Sequence, residues 1–311
     1  MTAHSNLLAG IAALRTALDV PAVFASNDVG NFLRRGLTVS AFNLLETFVA
    51  DRTVELIQYA NRGTSQFLDL PDKLQKRALT HPLQVARTRM GFGDYDLPEL
   101  RKVSLELGSS LATVGHGLNL SPWTWLWAGS NMSAEDYMTA LRLFHVNPPG
   151  DNAKRLAERI NVLPKQTSNP SFTLKEDLNE LVQMRHQCAH VATSSVTSLW
   201  LRAVPSRVLR YAATYEILAS FGAFHIHIGE PDYLADEKWL VDSRIAVRFI
   251  RQRKADVAEY AEGKTRAARV QKDNDAEALY ASACSKKVPL EVVVRQDETL
   301  AVLDWAIPTV P

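Results

Sequence analysis

The chain has 311 residues, 46% of them apolar and 22% charged, with 35 lysines and arginines against 34 acids and a formal net charge of +1. That is enough length and apolar content for a buried core without metal or disulfide support; it excludes a disordered or collagen-like chain and gives no sign of nucleic-acid binding through bulk charge. Two distant cysteines, Cys188 and Cys284, a start (MTAHSNLLAG) without a basic region, and no apolar run of about 18 residues predict a cytoplasmic, reduced protein without a membrane span.

In chain order, Leu7, Ile11, Leu14 and Leu18 recur at helical spacing and predict a first packing helix over 6–18 that Pro21 ends. From about Asn31 to Asn61, residues Leu33, Leu37, Phe42, Leu45, Phe48, Val49, Leu56 and Ile57 form one broad apolar face, with Gly63 at a C-cap position. Arg34, Arg35, Glu46 and Asp51 on that helix fit either a solvated face or a site. Between 64 and 130, Pro71, Pro82 and Pro98 punctuate short helical pieces such as 97–111, which predicts an insertion packed on the core. Trp123, Trp125 and Trp127 alternate, as aromatics that stack bases would, or as an extended piece buried against helices would. Ser133 with Asp136 caps a helix that turns Tyr137, Leu141 and Leu143 inward; a short helix over 151–160 and a loop over 164–170 follow.

The stretch 171–191, SFTLKEDLNELVQMRHQCAHV, joins a capping box at Thr173 and Glu176 to a buried stripe of Leu174, Leu178, Leu181, Val182 and Ala189. Arg185, His186 and His190 are left facing elsewhere. On an ideal helix Arg185 and His190 stand about 140° apart, and the two histidines about 40° apart. Several readings of these three residues are open. Arg185 could pair with Glu180 or Asp177 while His190 caps the helix. His186 and His190 have the spacing of a helical zinc pair, but lack the Glu of H-E-x-x-H and an evident third ligand. The third reading is a catalytic one.

Residues 192–195 are small and polar, so a ligand could approach beside His190. Residues 208–226 are apolar nearly all round and predict the last core helix. His225 and His227, two apart, would suit a metal only on a strand and otherwise read as structural. From Asp236 to about Ala283 the composition predicts one long helix, or two broken near Gly263. It carries a stripe of Arg244, Arg248, Arg251, Arg253, Lys254, Lys264, Arg266, Arg269 and Lys272, which fits a phosphate-tracking surface or a solvated face. Leu290–Arg295 and Thr299–Trp305 predict a β-hairpin, which must dock on the helices or on a second subunit because a lone hairpin is marginal in water. No nucleotide-binding glycine loop, G-x-S-x-G elbow or paired-cysteine zinc pattern is present.

The spacing R-x-x-x-x-H, written RHQCAH, resembles the signature of the HEPN superfamily, all-α ribonucleases of prokaryotic toxin and defence systems. RRGLTVSAFNLLETFVADR resembles the first core helix of its toxin-type (RiboL-PSP-like) branch. The order of capped helix, short helix, loop and motif helix is similar too. The expected fold is therefore all-α: a HEPN-like helical bundle over 1–230 with an inserted segment around 64–130, then a long helical extension and a small β-hairpin over 231–311. The resemblance implies a metal-independent endoribonuclease, without a cofactor, that acts as a toxin or antiphage effector and leaves a 2′,3′-cyclic phosphate. His190 would transfer protons and Arg185 would hold the phosphate. His186 stands where most of the family has Asn. The family usually dimerises with its motif helices face to face, so a homodimer with a composite cleft is expected, with Met184 and Cys188 covered by the partner. RNA, and an antitoxin or defence protein, are the expected partners; Arg248, Arg251 and Lys254 are the expected RNA-backbone contacts. The alternative is a catalytically silent HEPN-like module that binds protein or nucleic acid through the same surface.

Overall fold

A computed structural model describes residues 2–92, 96–112, 117–129, 131–162, 173–271 and 275–310. The loop over 164–170, the first two residues of the 171–191 stretch and Lys272 lie outside the described residues.

The helices begin where capping residues satisfy free amides. In α1 (Ala3–Leu18) the Thr2 side chain accepts from the Ser5 amide, and Leu7, Ile11, Leu14 and Leu18 are buried, as their spacing predicts. Asn27 caps α2 (Asp28–Ala60), which buries Phe42, Leu45, Phe48, Val49, Leu56 and Ile57. The helix ends at Asn61, and Gly63 serves a purpose other than a C-cap: a Cβ there would lie 1.9 Å from the His227 carbonyl oxygen. Helix α3 (Asp72–Phe92) runs through Pro82, and α4 (Leu97–Leu111) starts at an Asp96–Glu99 capping box. Helices α5 (Ala134–Leu143), capped by Ser133 and Asp136, and α6 (Pro149–Arg159) lead to α7 (Leu174–His190), where Thr173 accepts from the Glu176 amide. The central element is α8 (Ser198–Ile228), buried along nearly all of its length and closed by Gly229 in the left-handed conformation. It starts ten residues before the predicted 208, because Pro205 lies inside it rather than before it. Among the described residues, no helix is long and apolar enough to cross a membrane.

After α9 (Pro231–Ala235) the chain departs from the all-α expectation. No long helical extension forms. Strands β1 (Ala246–Gln252), β2 (Val257–Ala261) and β3 (Arg269–Gln271), a short α10 (Ala276–Cys284), then β4 (Glu291–Gln296) and β5 (Val302–Ala306) build a five-stranded mixed sheet in the order β3-β2-β1-β4-β5. β1 runs parallel to β4 and every other pair is antiparallel. The protein is mostly helical with a small sheet. The charged composition of 236–283 reads as helix, but Val247, Phe249 and Ile250 are β-branched or aromatic and become buried once β4 supplies the neighbouring strand. The hairpin forms as the edge of this sheet, and Trp305 docks it on the helices by donating from Nε1 to Glu216 Oε2 at 2.9 Å.

At the same seam, His4 Nδ1 and Nε2 each lie 2.7 Å from a carboxylate oxygen, of Glu216 on α8 and of Asp304 on β5. Burial opposes the imidazolium charge, but the hydrogen bonds to Asp304 and Glu216 outweigh it and raise the His4 pKa to about 9. The stabilisation this gives is full below the ordinary value of 6.5 and is lost as pH rises through 9; the shift corresponds to about 3 kcal/mol. The urea midpoint of the parent should fall more steeply from pH 6.5 to 9.5 than that of His4→Gln. Parallel profiles would remove His4 from the seam's energetics.

Candidate functional site

The last two turns of α7 carry the three motif residues. Arg185 is half-buried, and His186 and His190 are exposed with ring centroids 4.8 Å apart. Among the described residues Arg185 has no carboxylate partner, and its Nε is buried without a hydrogen bond. The acids that could have neutralised it are engaged elsewhere. Asp177 pairs with Arg207 at 2.9 Å and Arg210 at 3.0 Å and accepts from Tyr211, while Glu180 accepts from Trp200 and pairs with Arg207 at 3.2 Å. The first half of α7 is thus tied to α8 by an ionic network centred on Asp177, and the second half carries Arg185, His186 and His190, which have no carboxylate partner among the described residues.

Helix α2 fixes the end of α7. Arg35 donates from Nη2 to the Cys188 carbonyl and from Nη1 to the Ala192 carbonyl, each at 2.8 Å. A cation there satisfies terminal carbonyls and favours the negative end of the helix dipole. Asn31 accepts from the Val196 amide and donates to the Ser194 carbonyl, and Arg34 donates to the carbonyls of Val196, Val23 and Ala25. The small polar segment after His190 is therefore clamped at three points. Arg34 and Arg35 scaffold the motif rather than face solvent. Glu46 accepts from the Met132 amide, and Asp51 is exposed.

Cys188, expected to be covered by a partner, is 5% exposed within the single chain, because it faces α2; Met184 is half-buried against the same core. Burial also pushes the Cys188 thiol up, which removes it as a nucleophile. His186 and His190 gain no third metal ligand: no cluster of three His, Cys, Asp or Glu side chains occurs among the described residues. His225 and His227 lie on α8, not on a strand. His225 is buried against Tyr233 and Trp239, where burial, reinforced by Arg244, lowers it to about 4, and His227 stacks on Tyr59. Trp125 and Trp127 are buried and Trp123 is half-buried, so the alternating tryptophans belong to the core.

No protein-family model, curated protein or solved structure matches the chain.

The basic stripe does not exist as one helix face. Arg248 lies on β1, pairing with Glu259 at 2.8 Å and Glu291 at 2.6 Å. Arg251, on the same strand, donates to Gln296 and lies over Phe249 and Tyr260. Arg253 pairs with Asp256, Arg269 with Glu259, and Arg244 covers Trp239. Lys254, in the β1–β2 connection, is exposed, as are Lys264 and Arg266. Of the three residues assigned to RNA, only Lys254 is unengaged; the sheet's own carboxylates and amide hold the other two.

Sequence reasoning listed Arg34 and Arg35 without a role and passed over Asn31 and Phe32. Phe32 carried a signal all the same, because it falls off the apolar stripe of its helix.

Proposed function

We propose that the protein is a metal-independent endoribonuclease of HEPN type, acting as a toxin or antiphage effector, with Arg185 and His190 as its working pair. The observation that carries this reading is Arg185: a half-buried guanidinium without a carboxylate partner among the described residues, on the same two turns as two exposed imidazoles. Leaving a buried Nε unsatisfied costs about 1–3 kcal/mol, and a residue retained at such a cost is a site candidate. RNA carries its own nucleophile, the 2′-hydroxyl, so the protein need supply only proton transfer and charge neutralisation. His190 takes the 2′-hydroxyl proton or returns one to the leaving 5′-oxygen, and each positioned transfer gives roughly a 100- to 10,000-fold gain. Arg185 donates to the phosphate as charge builds on its oxygens. His186 touches His190 and orients it.

The two faces of α7 argue for a homodimer. Arg185 lies on the flank next to the buried Cys188 and His190 on the outer side, about 140° away, so one phosphate is better served by two copies of the helix across a two-fold axis. Purified protein should cut single-stranded RNA in EDTA and leave an all-deoxy strand of the same sequence intact. Equal cutting of both strands would rule out 2′-hydroxyl attack. Because Arg248 and Arg251 are engaged within the sheet, the reading favours an RNA track along α7 and the start of α2 over one at those two residues.

A further inference from the structure

We propose that Phe32 is the platform on which an unpaired RNA base stacks beside the cleavage site; this rests on the ribonuclease reading. Phe32 is 72% exposed, although α2 has a broad buried face that could have taken an aromatic ring. It lies one turn before Arg35 and about 60° around the helix from it, on the flank of α2 that reaches the end of α7. Its neighbour Asn31 holds Ser194, and Arg35 holds Cys188 and Ala192, so the ring stands at the mouth of the clamped segment that follows His190.

Its surroundings choose the occupant. Val191 and Leu199 are exposed at the same junction, Leu199 by 82%. Arg202, in the first turns of α8, is exposed, lies 3.9 Å over Phe24 and has no carboxylate partner among the described residues. Arg185, His186 and His190 lie on the helix whose end Arg35 holds, so a guanidinium without a carboxylate partner among the described residues and two imidazoles stand on the α7 side of the clamp, with Asp28, one turn before Phe32 on α2, an exposed acid nearby. A purely apolar protein surface laid here would desolvate those cations without neutralising them. A single strand satisfies both features: a base covers the ring while its phosphates meet the cations. A duplex cannot, because its bases are already stacked on one another.

The test measures binding apart from cleavage. Fluorescein-labelled 2′-O-methyl oligouridine and oligoadenosine, which lack the attacking hydroxyl, are titrated with the parent, Phe32→Ala, Phe32→Leu and Phe32→Trp. Alanine and leucine should each weaken binding about ten-fold, leucine because it keeps apolar area and loses the π face, while tryptophan should bind as tightly as the parent. Binding to a 2′-O-methyl duplex should not change between variants. Equal affinities for all four proteins, or a parent that binds neither oligomer, would overturn the proposal. So would a fall in sedimentation coefficient for Phe32→Ala, which would assign the ring to a contact between copies. Tight, Phe32-dependent binding by a protein that cuts no unmodified RNA would retain the platform and reject the nuclease.

Discussion

Arg185→Ala and His190→Ala should each lower RNA cleavage at least about 100-fold while the thermal midpoint stays within a few degrees of the parent's. The two halves of this result come from different parts of the geometry. The loss of rate follows from the proposed roles, since each variant would remove either the proton-transfer group or the phosphate's donor. The retained stability follows because, among the described residues, Arg185 makes no ion pair and its Nε no hydrogen bond, and because His190 is exposed. If the cleft is composite, mixing the two inactive chains should restore part of the activity, since a heterodimer carries one intact Arg185 and one intact His190. Parental cleavage by either variant alone would refute the site assignment, and a fully active monomer would refute the composite cleft.

Asp177→Ala, one turn into the same helix, should behave in the opposite way. Its carboxylate holds Arg207 and Arg210, both buried on α8, and accepts the Tyr211 hydroxyl. Removing one partner of a buried ionic cluster leaves uncompensated charge and costs about 3–5 kcal/mol, which for a chain of this size is a fall of roughly 5–8 °C in the thermal midpoint. The folded fraction that remains should cleave RNA at close to the parental specific rate. A midpoint unchanged in Asp177→Ala would mean that the network does not anchor α7, and that the motif is held by Arg35 and the core alone.

The contrast between these two positions shows what could be read from the sequence. The starts of α7 and α5 were legible because Thr173 and Ser133 cap amides a few residues on, whereas the caps at Thr2, Asn27 and Thr197 were not read, and α1, α2 and α8 begin three or more residues before their predicted starts. The apolar stripes of α1 and α2 were legible because their period is local. The network at Asp177 was not, because its partners lie 30 and 33 residues away and pair by tertiary geometry. The sheet was missed for the same reason. β1 is a short strand in an Arg-, Lys-, Glu- and Ala-rich region whose local preference points to helix, and its parallel partner β4 begins some 45 residues downstream. Pro82 misled in the other direction, since it looks like a stop and lies inside α3. The three motif residues were visible through their spacing alone, but the feature that now marks Arg185, the absence of a carboxylate partner, depends on where Asp177 and Glu180 point.

The measurement that bears most directly on the function is the end group left on RNA by the purified protein in EDTA. Attack by the neighbouring hydroxyl with proton transfer through His190 must leave a 2′,3′-cyclic phosphate and a free 5′-hydroxyl, and both should be absent from digests made with the Arg185→Ala chain. Intact RNA, or fragments ending in 3′-hydroxyl and 5′-phosphate groups, would contradict it.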